Sequence, residues 1–222
     1  MAGEALIPLL LTLKVAGWAT LISLVLGVSA GFVLARGRFR GRELLDALCT
    51  LPLVLPPTVI GYYLLVLVGR NGALGGWLES CCGVTLVFTW QGAALAASVV
   101  AFPLVFKSAR EAFETVDRQL EHAARVLGVS NGGVFLRVTL PLAWRGIISG
   151  TMLAFARAMG EFGATLMLAG SLPGRTQTLS LAVYDAVQAG RDSLANFLVL
   201  VTSVACILIL LVSGKLLRQA RA

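Results

Sequence analysis

From Leu6 to Ala35 the chain carries one charged side chain, Lys14, in thirty residues. A helix crosses the hydrocarbon of a bilayer with about 20 apolar residues, and there it satisfies every backbone N–H and C=O within itself. This run is therefore expected to be a transmembrane helix. It is too long for the apolar region of a secretory signal, and the acidic Glu4 with no basic residue before it also argues against a cleaved leader. Four further apolar stretches follow, and together they predict spans over about 9–35, 48–68, 84–106, 146–169 and 194–214. Charged residues make up 13% of the chain, about half the share in a soluble domain. The fold class expected is all-α, integral and multi-pass, in the lipid bilayer of a plasma membrane.

The basic residues orient it. Arg36, Arg38, Arg40 and Arg42 follow the first span, Lys107, Arg110, Arg118, Arg125, Arg137 and Arg145 follow the third, and Lys215, Arg218 and Arg221 follow the fifth. The alternate connections hold only Arg70, Arg175 and Arg191. Lys and Arg concentrate on the cytoplasmic side, so the N-terminus is expected out and the C-terminus in. The same pattern accounts for the net charge of +7 without nucleic acid as a partner. Lys14, near the outer end of its span, is expected to snorkel toward headgroups.

Two spans are unusual. The second contains Pro52, Pro56 and Pro57, each of which removes a backbone donor, so a kinked helix buried in protein or lining a cavity is expected. The kink is either structural or part of a pathway. The fourth carries Gly146 and Gly150 at GxxxG spacing and continues with Ala154, Ala158, Gly160 and Gly163. Such small residues let helices approach closely in lipid. It also carries Arg157 and Glu161, whose charges cost about 2.5–3.5 kcal/mol or more each at the centre of a span. They must face the interior with partners, as a clamp between helices or as a gate.

The longest polar interruption runs from Asp117 to Ile147. In it Leu120, Ala123, Ala124 and Leu127 fall at i, i+3, i+4 and i+7, one apolar stripe on a short helix. Asp117 is placed to cap its start and Gly128 to end it in a left-handed turn. Eleven residues rise only about 16 Å, so the helix lies outside the membrane, either on the lipid surface or against another protein. Pro141 is expected to break the helical pattern before the fourth span begins.

No Gly-rich phosphate loop is present, so no ATP site of that kind is expected in this chain. One His and four Cys offer no metal-ligand spacing, and no catalytic constellation is visible; neither a metal, a bound cofactor nor an enzyme activity is expected.

Glu121-His122-Ala123-Ala124, then Gly128, then Leu140-Pro141 resemble the EAA loop of the membrane-spanning subunits of bacterial ABC importers, with His122 where that family usually has Ala. LPLVLPPTVIGYYLLVLVGRNG, ARAMGEFGATLMLAG and LPGRTQTLSLAVYDAVQAG extend the resemblance to the molybdate ABC transporter permeases. It implies a type I ABC transmembrane domain over 8–213, with a cytoplasmic loop over 107–145 and a basic tail over 215–222. It also implies a homodimer, two cytoplasmic ATPase subunits that use Mg-ATP, a periplasmic molybdate-binding protein and alternating access. Leu120, Glu121, Ala123, Ala124, Leu127 and Gly128 would form the coupling helix, Leu140 and Pro141 the loop exit, and Pro56, Pro57, Arg157 and Glu161 a gate or pathway. A sulfate/thiosulfate or tungstate permease is the same-family alternative, and a membrane enzyme or passive channel a remote one.

Overall fold

The computed structural model describes residues 2–37 and 39–219; Arg38 and residues 220–222 of the basic tail lie outside the described residues. Among the described residues the chain is helical, without strands. α1 (Ala2–Arg36), α2 (Arg42–Val54), α3 (Pro57–Val68) and α4 (Ala73–Cys82) lead to the long α5 (Trp90–Glu114). Then come α6 (Arg118–Val126) and α7 (Asn131–Val134), a π-turn over Phe135–Thr139, α8 (Leu140–Met159), α9 (Gly163–Ala169), α10 (Leu179–Gln188) and α11 (Asp192–Gln219). Among the described residues four stretches are long and apolar enough to cross a membrane, and the bent pair α2/α3 has the length and apolarity of a fifth, as a broken span or a re-entrant loop.

The core is α1 against α5 against α8, built on small residues. Ala16, Ala19, Ala93, Ala97, Ala101, Ala154 and Ala158 are buried in one cluster. Gly146 and Gly150 face α5: a Cβ at Gly146 would lie 2.6 Å from that of Ala112, and one at Gly150 would meet the Ser108 side chain. Without water to expel, helices in lipid associate by close packing of this kind. Bulk at either position would lever α8 off α5.

Several boundaries differ from the sequence expectation. The third span starts at Trp90, not at 84, because the Thr89 side chain accepts from the Gly92 N–H at 3.2 Å and caps the helix there. It continues to Glu114, two turns into the segment expected to be loop. The second span is two helices meeting at 113°, with Pro52 inside α2 and Pro57 opening α3, where no N–H is needed. Pro141 breaks nothing. The π-turn brings the chain into α8, and the Leu140 N–H bonds Phe135 O. The fourth span ends at Met159, and the rest of the predicted stretch is the separate α9. α11 stays helical to Gln219, past the point where the tail was expected to start. Lys14 is exposed, and its Nζ sits 3.7 Å from the centre of the Trp90 ring at the start of α5, a cation–π contact.

Candidate functional site

At one end of the bundle α6 follows α5, packs beside α7 and the π-turn, and hydrogen-bonds to the end of α1. Asp117 caps it, accepting from the Gln119 N–H at 2.8 Å. Gly128 ends it at φ +82°, with the Gly128 N–H on Arg125 O (2.9 Å) and the Val129 N–H on Ala124 O (3.1 Å). This is the Schellman pairing expected of a glycine stop.

Leu120, Ala123 and Leu127 are exposed and Ala124 half-buried; Leu127 stands 82% open, and the neighbouring Val126 87%. The apolar stripe read from the sequence thus has no partner within the described chain.

A different face of α6 holds it down. Glu121 is only 4% exposed. Its Oε1 accepts from Arg36 Nη2 at 2.7 Å and from Thr139 Oγ1 at 2.8 Å, while Arg125 Nη2 stays 3.9 Å from Oε2. Arg36 also donates to Val116 O (3.2 Å), and Arg118 to Ala35 O (3.5 Å). Phe32 packs edge-on against Phe113 and Phe135 (5.4 and 4.7 Å between centroids) behind this cluster. Leu140 packs into the same cluster, whereas Pro141 is exposed at the start of α8. Arg42–Glu114 (2.7 Å) and Asp46 with Lys107 and Arg110 tie α2 to α5 at the same end.

Further along the bundle the two helix breaks meet. α9 begins beside α3: a Cβ at Gly163 would lie 3.2 Å from Pro57 Cβ and from Thr58 Cγ2. Glu161 is the reason α9 restarts, since its Oε1 accepts from the Ala164 N–H at 2.9 Å. Its Oε2 lies 2.8 Å from Arg157 Nη1, with Glu161 1% exposed and Arg157 35%. The carboxylate is thus held by a guanidinium and a helix N-terminus, which together offset the cost of burying its charge. Pro57 is therefore brought to the Glu161 turn, while Pro56 is exposed at the corner between α2 and α3.

At the opposite end the 170–178 turn is pinned internally. Thr176 Oγ1 bonds Gly170 O (3.1 Å), and Gln177 and Ser171 both donate to Asp185 Oδ2. Thr12 of α1 accepts from the Leu179 N–H at 2.8 Å. Among the described residues no three His, Cys, Asp or Glu side chains converge as a metal site would require.

Comparison with known proteins places these features in context. Residues 23–219 match the family model described as binding-protein-dependent transport system inner membrane component. The chain is 46% identical over 213 residues to the molybdenum transport system permease protein ModB of Escherichia coli, covering 96% of this chain and 93% of that one. It is 42% identical to the putative molybdenum transport system permease protein YvgM of Bacillus subtilis, covering 87% and 86%. Among solved structures it resembles the inward-facing MetNI methionine ABC transporter, with TM-score 0.77 at 17% identity over 99% of this chain and 97% of that one. A bacterial alginate ABC transporter bound to its periplasmic protein gives TM-score 0.78 at 15% identity, over 98% and 79%.

Proposed function

Since the chain belongs to the family of binding-protein-dependent transport system inner membrane components, we propose that it is the permease subunit of an ATP-driven importer of molybdate. It is a multi-pass inner membrane protein, and its relatives at 46% and 42% identity carry molybdenum transport in their names. The observation that carries the mechanistic reading is α6, capped at both ends, fixed underneath by Glu121 and open along its apolar stripe. A helix laid into a partner's groove takes its affinity from anchors at i, i+3, i+4 and i+7, and here Leu120, Ala123, Ala124 and Leu127 supply them.

In this reading α6 docks on a separate ATPase subunit, one to each copy of a permease homodimer, and Mg-ATP is hydrolysed there. The end bearing Arg36, Arg42, Lys107, Arg110 and Arg118 is cytoplasmic by the positive-inside rule. A periplasmic binding protein meets the opposite end, around the 170–178 turn. Closure of the ATPases rocks the two permeases in alternating access. The meeting breaks at Pro56–Pro57 and Gly160–Phe162 lie along the path, because irregular backbone at membrane depth is tolerated against protein or a cavity. Glu161 repels a dianion and is no ligand; with Arg157 it clamps the break. Selection of the oxyanion then falls to the binding protein.

The test is uptake of radiolabelled molybdate in cells lacking their own system, competed by sulfate and by tungstate. Molybdate uptake that survives equimolar sulfate is expected. Loss of uptake to equimolar sulfate would replace the reading with a sulfate permease.

A further inference from the structure

α6 is joined through the chain to α5 and, by way of α7 and the π-turn, to α8. Its hold on α1 is made across space, and the shortest hydrogen bond of that hold ends on one carboxylate oxygen. Glu121 Oε1 takes the Arg36 and Thr139 bonds at 2.7 and 2.8 Å, so a single atom binds α6 to the end of α1 and to the π-turn. The connection is doubled by Arg36 to Val116 O and by Arg118 to Ala35 O, one guanidinium reaching in each direction.

Where α1 ends matters. It packs along both α5 and α8 in the small-residue core, and the next helix in the chain is α2, which starts at Arg42 and leads to the 113° corner before α3. α3 in turn lies against α9, where the Glu161 turn is. A push on α6 delivered at Arg36 therefore reaches the element common to the core and to the first helix break.

We propose that Arg36 is the positioning residue through which movement of α6 is passed to the membrane helices, its ion pair with Glu121 being the link. The proposal rests on α6 as the coupling helix. A buried pair suits this role because separating it leaves an uncompensated charge, which costs far more than parting an exposed pair. The two elements then move together instead of sliding past each other. The rings of Phe32, Phe113 and Phe135 back the pair on its apolar side and keep the Arg36 segment from yielding locally.

The experiment uses the whole complex in proteoliposomes, with ATPase subunits and molybdate-loaded binding protein. The readout is the ratio of stimulated ATPase to each variant's own basal rate, beside the amount of complex assembled. Arg36→Gln should lower that ratio by about fivefold or more, the lower end of ordinary coupling between sites. Glu121→Gln should do the same, and the double variant should be no worse than the worse single one, because both remove one interaction. Arg36→Lys, which keeps the charge but not the planar guanidinium that places Nη2 between Glu121 and Val116 O, should fall between wild type and R36Q.

A purely structural role would lower the assembled amount and leave the ratio at its wild-type value, which overturns the proposal. So do losses that multiply in the double variant. If R36Q does not assemble, R36K decides: a reduced ratio in assembled complex supports the link, and a wild-type ratio overturns it. Ala124→Glu, on the open stripe, is run beside them. Loss of stimulation in A124E with R36Q intact overturns the Arg36 link alone, whereas stimulation retained in A124E overturns the coupling-helix reading beneath it.

Discussion

Gly61 of α3 lies so close to Ala164 of α9 that a Cβ at position 61 would stand 2.9 Å from the Ala164 Cα, and 2.7 Å from Met167 Cβ. Both obstacles are parts of a helix that cannot swing aside. Gly61→Ala is therefore expected to destabilise the permease despite its better helix propensity, by about 1–3 kcal/mol as for other overpacked cores. Gly17→Ala is the control, with nothing within 4 Å of the added methyl. Thermal unfolding in detergent compares them; equal midpoints would show that α3 and α9 are not in close contact.

The Arg157–Glu161 pair makes a second case. Arg157→Ala leaves the Glu161 charge almost wholly buried, held only by the Ala164 N–H. Breaking a buried pair from one side costs about 3–5 kcal/mol, and the lower end applies because Arg157 is partly exposed. Adding Glu161→Gln should restore part of the loss, since a neutral amide can still accept from Ala164. Tryptic resistance and thermal midpoints of the single and double variants check this. No recovery in the double variant would mean the ion pair is not what stabilises the turn.

Gly128 tests the end of α6 through the backbone alone. At φ +82° with no atom within 4 Å of a built Cβ, substitution meets no obstacle, only conformational cost. That cost is about 1–3 kcal/mol for an unsuitable residue. Gly128→Val should leave the permease inserted yet abolish molybdate uptake, because the chain after α6 leaves in the wrong direction. Gly128→Asn should keep most of it, as Asn tolerates the left-handed region. Equal uptake by both variants would remove the turn from the mechanism.

Orientation is checked by labelling with an impermeant thiol reagent in a background lacking the native four cysteines. Cysteines at the exposed Asn71 and Arg175 should react in intact cells, and one at the exposed Asn131 should react only after permeabilisation. Labelling at Asn131 in intact cells would invert the topology.

Features set within a few residues were readable before any coordinates. Asp117 and Gly128 bracket α6 as expected because caps depend on neighbours in the chain. Gly146 and Gly150 announced close packing, though not that Ser108 and Ala112 would receive it. The Glu121–Arg36 pair joins positions 85 apart, and Arg36 by itself looks like one more arginine on the charged side. The break after Met159 was hidden for a different reason. In an apolar span Gly160 reads as a packing residue, and Glu161 as a charge seeking a partner. Its capping of Ala164, three residues on, was the available signal. The start of α5 was missed because the apolar run continues upstream of Thr89, and the hydroxyl cap decides the boundary.

The π-turn at Phe135–Thr139 fixes the rotational indexing of everything before it against α8. Each residue added to or taken from a helix turns what lies beyond by about 100° and shifts it by about 1.5 Å. Deleting one residue there would restore ordinary winding while carrying Thr139's neighbours, α7 and α6 round the axis. Glu121 would then face away from Arg36 with its charge unpaired. The length of this short segment is thus as constrained as its composition, and a single-codon deletion between 135 and 139 acts on the machine as a gear slipped by one tooth.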